Sequence, residues 1–152
     1  YMTEALIAKA AAVNAQDLDG ETPLHLSESV AMTELLLNKG KANPNIPNID
    51  GICALHLAVQ RRDSDSVRAL LLKNANVNNA DNIRWFTALH LIALPARTEG
   101  ETISDTELGP HIAQLLTGPY GRDKPDLDYQ DREGNAPLHY AVQLDTEEAC
   151  GI

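Results

Sequence analysis

Four Leu-His pairs punctuate the 152-residue chain, at Leu24-His25, Leu55-His56, Leu89-His90 and Leu138-His139, with the histidines 31, 34 and 49 residues apart. The flanks repeat as well. "VNAQDLDGETPLHL", "PNIPNIDGICALHLAV", "VNNADNIRWFTALHLIA" and "LDYQDREGNAPLHYAV" each run through Asn or Asp and a turn into the pair. Self-similarity at such a period marks supersecondary units that cannot bury their apolar faces alone and must stack on one another.

Each unit can be read locally. The Asp-Gly and Asn-rich stretches favour tight turns, because Gly and Asn tolerate positive φ. Thr22 followed by Pro23 suits a helix start, with the hydroxyl accepting from an orphan backbone N–H and the fixed φ of proline at the first helical position. A short first helix is predicted in "PLHLSES" and "ALHLAVQRR". A second apolar run follows in "MTELLLNKG", "SVRALLLKNA" and "HIAQLLTG", each closing on Gly or Asn as a left-handed exit.

The pattern D-G-x-T-P-L-H-x-A, followed by a Leu-rich helix and then by G-A-x-x-N, resembles the ankyrin repeat. "DLDGETPLHL" and "LLLKNANVN" carry that resemblance most specifically. It covers nearly the whole chain and implies an all-α solenoid of stacked helix-turn-helix units joined by β-hairpin loops. Residues 1–13 read as the second helix of an incomplete repeat, with Leu6 and Ile7 as its apolar face. Repeats are expected at 14–44, 45–77 and 78–127, and an incomplete one at 128–152. The array is expected to continue beyond both ends.

Departures from the period are expected to shape the stack. The first repeat lacks three residues between its helices in "SESVAMTE" and gains Lys41. The third gains one residue in its hairpin and a long insertion at about 97–110, acidic and without apolar periodicity, read as an exposed loop. Within it, Ser104-Asp105-Thr106-Glu107 also fits an acidic phosphosite or a capping box, though Gly109 and Pro110 weaken a helix there.

Composition narrows the chemistry. With one Trp, four Tyr and one Phe the core must be mainly aliphatic. A net charge of −10 and the absence of a basic run oppose nucleic-acid binding. No apolar stretch approaches the ~18 residues of a membrane span, so direct membrane insertion is not expected. Two distant cysteines, Cys53 and Cys150, point to a reducing intracellular compartment, the cytoplasm with the nucleus also open.

The one-per-repeat histidines invite a metal reading. Stacked helices stand about 8–10 Å apart, however, whereas metal ligand bonds are about 2 Å long. The resemblance instead implies that each histidine ties its hairpin to its helix start. No phosphate loop, dinucleotide fingerprint, H-E-x-x-H or G-x-S-x-G occurs. No cofactor, metal or catalytic residue is expected. The resemblance also marks Asn14, Asn45 and Asn78 as positions that asparaginyl hydroxylases modify in such repeats; the residue reading is a turn amide bonding locally.

A stacked array aligns its hairpin tips and first helices into one recognition face. In register, the expected protein-binding positions are Leu18, Asp19 and Glu21, then Ile49, Ile52, Gln60 and Arg61. The third and fourth repeats add Ile83, Arg84 and Trp85, and Arg132, Glu133, Asn135 and Gln143. Leu18, Ile49 and Ile83 would form an apolar stripe, with Trp85 either its anchor or a plug for the widened hairpin. Phe86 is the better plug, being nearer the helix start. The expected function is a non-catalytic interaction module, a scaffold or adaptor inside a larger intracellular protein, binding a protein segment of basic and apolar character. The alternative is an ankyrin domain regulating, in cis, a larger enzyme, channel or ubiquitin-ligase component.

Overall fold

A computed structural model of the chain describes residues 2–9, 11–94, 105–120 and 123–150. Seven helices form among them: α1 (Met2–Ala8), α2 (Val30–Asn38), α3 (Ala54–Gln60), α4 (Ser64–Leu72), α5 (Ala88–Ile92), α6 (Asp105–Thr117) and α7 (Pro137–Cys150). They pack in two layers. First helices stack as α3, α5 and α7, and second helices stack as α2, α4 and α6, with α3 against α4 and α5 against α6 within their units. The chain is an all-α repeat solenoid.

The core lies between the layers and is aliphatic there. Leu55, Ala58 and Val59 of α3 meet Val67, Leu70 and Leu71 of α4, and Ile112, Leu115 and Leu116 of α6 continue the same cluster. Their spacing follows the helical repeat, so one face of each helix is buried and the stack removes that surface from water. Asp63 caps α4 by accepting from the Ser66 N–H at 3.0 Å. The chain then leaves α4 through Asn74 at φ +61°. Arg62 reaches across to the third repeat, donating to the carbonyls of Ile92 at 3.0 Å and Leu94 at 2.6 Å, a cation at the negative end of α5.

Four expectations are corrected. In the first repeat, residues 23–26 make turns rather than a helix, held by Ser27 Oγ donating to the Leu24 carbonyl at 2.8 Å. The missing residues leave room only for Ser29 to cap α2 directly, accepting from Met32 N–H at 3.3 Å. At the end of α2 the left-handed residue is Lys41 (φ +54°), not Gly40. Gly40 is needed for close approach, since a Cβ there would lie 2.7 Å from the Leu36 carbonyl oxygen. In α1, Leu6 is exposed and Ile7 alone packs against the core.

The fourth correction concerns the insertion. Its residues 97–104 lie outside those described, but from Asp105 the backbone is helical through Pro110 and into the apolar run. Burial of Ile112, Leu115 and Leu116 stabilises the helix as a whole, and the proline, only one turn in, costs one backbone hydrogen bond.

The hairpin glycines differ in what they tolerate. Gly51 (φ +77°) abuts the next hairpin, where a Cβ would lie 2.8 Å from the Asn82 nitrogen; at Gly134 (φ +83°) a Cβ would meet nothing within 4 Å. Gly51→Ala is therefore expected to destabilise by about 2–3 kcal/mol and Gly134→Ala by about 1 kcal/mol, from left-handed strain alone. Urea unfolding of the two variants checks the difference.

Candidate partner-binding face

Each hairpin is closed by one acidic or amide side chain. Asp17 Oδ1 accepts from the N–H groups of Asp19 and Glu21, Asn48 Oδ1 from Asp50 and Ile52, and Asp131 Oδ1 from Glu133 and Asn135. In the longer third hairpin, Asp81 uses both oxygens, Oδ1 for Ile83 and Arg84 and Oδ2 for Phe86. Burial pushes the Asp131 carboxyl up, but hydrogen bonds from the Tyr140 hydroxyl and from two backbone N–H groups outweigh it and hold the group below its ordinary value.

Backbone bonds join one tip to the next. Ile49 N–H donates to the Asp19 carbonyl at 3.1 Å, Asn82 N–H to Asp50 at 2.8 Å, and Arg132 N–H to Arg84 at 3.0 Å. This ladder fixes the register of the row. Leu18 and Ile49 align with Asn82 and Arg132, and Ile83 is the added residue at the third tip. The expected stripe is corrected accordingly: Ile83 is exposed beside it but does not occupy the slot of Leu18 and Ile49.

The histidines hold both ends of this architecture. In His56, Nδ1 accepts from the Cys53 N–H at 2.9 Å, so the proton sits on Nε2, which donates to the Asn79 carbonyl of the next unit at 2.9 Å. His25 bonds Thr22 and the Ile52 carbonyl in the same way, and His90 bonds Thr87 and the Asn135 carbonyl. The expected tie within the unit is present. The second bond, to the following hairpin, carried no sequence signal. Thr22 does not cap as expected: no helix starts there, and its hydroxyl lies 2.8 Å from His25 Nδ1.

Burial pushes the His56 imidazole below its ordinary value of 6.5, against the raising effect of the Asn79 carbonyl. Its folded value thus lies below the unfolded one, so the unfolded chain binds more protons between them. Stability is fully present above about pH 6.5 and falls as the solution is acidified below it, by up to about 1.4 kcal/mol per pH unit from this group. Urea midpoints measured from about pH 7.5 to pH 5 should fall on the acid side, and His56→Gln should remove this component.

The asparagines of the turns are also bridges rather than local. Asn14 Oδ1 accepts from Asn43 N–H, Asn45 Oδ1 from Asn76 N–H and Asn78 Oδ1 from Asp126 N–H, each near the far end of its own unit, at 2.7–2.8 Å. Asn45 and Asn78 add donor bonds to the carbonyls of Asn74 and Lys124.

With the frame fixed, the expected binding residues can be placed. Leu18 is 100% exposed; Asp19, Ile49, Ile83, Arg84, Arg132 and Glu133 are exposed at the tips, and Gln60, Arg61 and Gln143 are exposed on the first-helix side. Glu21, Ile52 and Asn135 are half-buried, a correction. They share the slot of Phe86, which turns inward before the helix start and is 3% exposed. The Arg61 guanidinium is already engaged, donating to the Ser27 carbonyl at 2.9 Å where the first repeat lacks its helix.

Trp85 and Phe86 divide the two roles the sequence left open. Phe86 is the plug: its ring stacks on His90 with centroids 5.2 Å apart and meets Tyr140 edge-on at 5.5 Å. Trp85 is 47% exposed and takes φ +63°, the left-handed place that Gly20, Gly51 and Gly134 fill at +75°, +77° and +83°. A tryptophan thus stands in the left-handed place that glycine fills in the other three hairpins, within a hairpin one residue longer. The Arg132 guanidinium lies 5.4 Å over the Trp85 ring, and that of Arg84 lies 5.4 Å over Phe86.

No helix among the described residues is long and apolar enough to cross a membrane. A family model of ankyrin repeats (3 copies) matches residues 1–81. Among curated proteins, the chain is 30% identical over 145 residues to an ankyrin repeat protein of Fowlpox virus (strain NVSL), covering 93% of this chain and 18% of the relative. It is 33% identical over 160 residues to the glp-1 protein of Caenorhabditis elegans, covering 96% and 11%. An ankyrin repeat protein of Acanthamoeba polyphaga mimivirus is 39% identical over 91 residues, covering 54% and 21%. The chain thus spans about a tenth to a fifth of the length of these relatives. By its motif, its stacking and these matches, the chain belongs to the ankyrin repeat family.

Proposed function

We propose that this chain is a non-catalytic protein-binding module of a larger intracellular protein, and that it takes its partner on the row of hairpin tips. Ankyrin repeats are generally protein–protein interaction modules. The observation that carries the finer reading is Trp85. A left-handed conformation costs a residue with a side chain about 1–2 kcal/mol, and three equivalent positions avoid that cost with glycine. Strain kept at a half-exposed tryptophan is accounted for by use of the ring at the surface. Leu18, Ile49 and Ile83 add exposed apolar side chains along the same row of tips. Flanking repeats of the same protein and a cytoplasmic setting belong to the same reading, with buried Cys53 kept as a free thiol.

The test is a footprint. Partners captured on the chain from cell lysate should slow amide hydrogen exchange at the four hairpins, around Asp17, Asn48, Asp81 and Asp131. Protection confined to α2 and α4 would sink the hairpin-face reading. Protection by a separate segment of the full-length protein itself would favour regulation in cis.

A further inference from the structure

The net charge of the chain suggests a uniformly basic partner, but the row of tips is not uniformly acidic. In hydrogen-bond register, the second tip positions read Asp19, Asp50, Arg84 and Glu133. The first two tips expose carboxylates, whereas the third and fourth expose Arg84 and Arg132 around Trp85, with Glu133 beside Arg132. Neither guanidinium hangs free in water. Arg132 lies over the Trp85 ring and donates to the Asn82 carbonyl at 2.6 Å, and Arg84 lies over the Phe86 ring. Planar cations held this way lose little freedom on meeting a carboxylate, whose two oxygens match their fork of N–H donors.

We propose that the hairpin row binds an extended peptide segment of opposite end charges, with Lys or Arg facing Asp19 and Asp50 and an Asp or Glu side chain received between Arg84 and Arg132 beside Trp85. Apolar side chains of the segment lie on Ile49 and Ile83 between the two ends. Three intervals of about 8–10 Å separate the four tips, so at about 3.3 Å per residue the segment is about eight or nine residues long. Like charges at either end would be repelled, which fixes the direction in which the segment lies. This rests on the hairpin-face reading above and adds partner chemistry and polarity to it.

The test is selection on the full chain from a library of random ten-residue peptides displayed within a loop, so that no free terminal carboxylate is offered. Peptides whose capture is lost in Trp85→Gly should carry basic residues towards one end and an acidic residue towards the other. For those peptides, the double variant Arg84→Glu, Arg132→Glu should weaken binding roughly tenfold or more, and replacing the peptide's acidic residue by lysine should restore it. Trp85-dependent peptides that are basic throughout, or indifferent to the arginine reversal, would overturn the bipolar segment while leaving the hairpin face standing. Recovery of no Trp85-dependent peptide would overturn both.

Discussion

His56→Ala is expected to destabilise the chain by about 4 kcal/mol, whereas the same change at His139 costs less than about 1 kcal/mol. The two residues occupy one position of the repeat. His56 is 3% exposed, and its ring joins the Cys53 N–H to the Asn79 carbonyl of the next unit. Deletion leaves both backbone groups without their partner, at about 1–3 kcal/mol each when buried, and opens a cavity. His139 is exposed, and among the described residues its ring makes only the bond within its own unit, from the Ala136 N–H at 3.0 Å. In a stack held by neighbour interfaces, the loss at His56 falls on the junction between the second and third hairpins. Urea unfolding decides it: similar losses for the two alanines would mean that the inter-unit bond contributes little.

Phe86→Ala is expected to cost about 3–4 kcal/mol, and Phe86→Leu about 1.5 kcal/mol or less. The ring is buried between His90 and Tyr140, and Tyr129 approaches His90 edge-on at 6.3 Å. Three of the six aromatic residues thus surround one histidine at the junction of the third and fourth units, where the hairpin is one residue longer than its neighbours. Truncation removes ring contacts worth more than their area alone and exposes His90. The α7 amides should exchange faster in the alanine variant, since α5 and α7 meet at this junction. A loss below about 1 kcal/mol would show that the widened hairpin does not depend on a filled slot.

The fold was legible because its signals are periodic. Leu-His pairs, turn residues and Leu-rich runs recur at intervals that specify helices and their stacking, and α3, α4 and α5 fall where "ALHLAV", "VRALLL" and "ALHLI" place them. What escaped the sequence joins segments far apart in the chain. The second bonds of His25, His56 and His90 and the bridges from Asn14, Asn45 and Asn78 go to backbone groups, which look alike in every residue. Pro110 and Gly109 argued locally against a helix that tertiary burial of Ile112 and Leu116 stabilises nonetheless. The first helix failed for the opposite reason, since three absent residues left no length for it. At the candidate face, exposure of Leu18, Ile49 and Trp85 could be read from the alignment. The left-handed turn of Trp85 and the displaced register of Ile83 could not, because an added residue can enter a loop at several places.

The ring of Trp85 should matter to binding and not to folding, and Trp85→Gly separates the two. Glycine relieves left-handed strain of about 1–2 kcal/mol, while the lost contact with Arg132 and the half-buried ring act in the other direction. Unfolding stability should therefore stay within about 1 kcal/mol of the parent chain. Quantitative capture of the partners that the parent chain recovers should meanwhile fall about thirtyfold or more, the loss of a hot-spot anchor worth about 2 kcal/mol. Undiminished capture by a Trp85→Gly chain of unchanged stability would contradict the account.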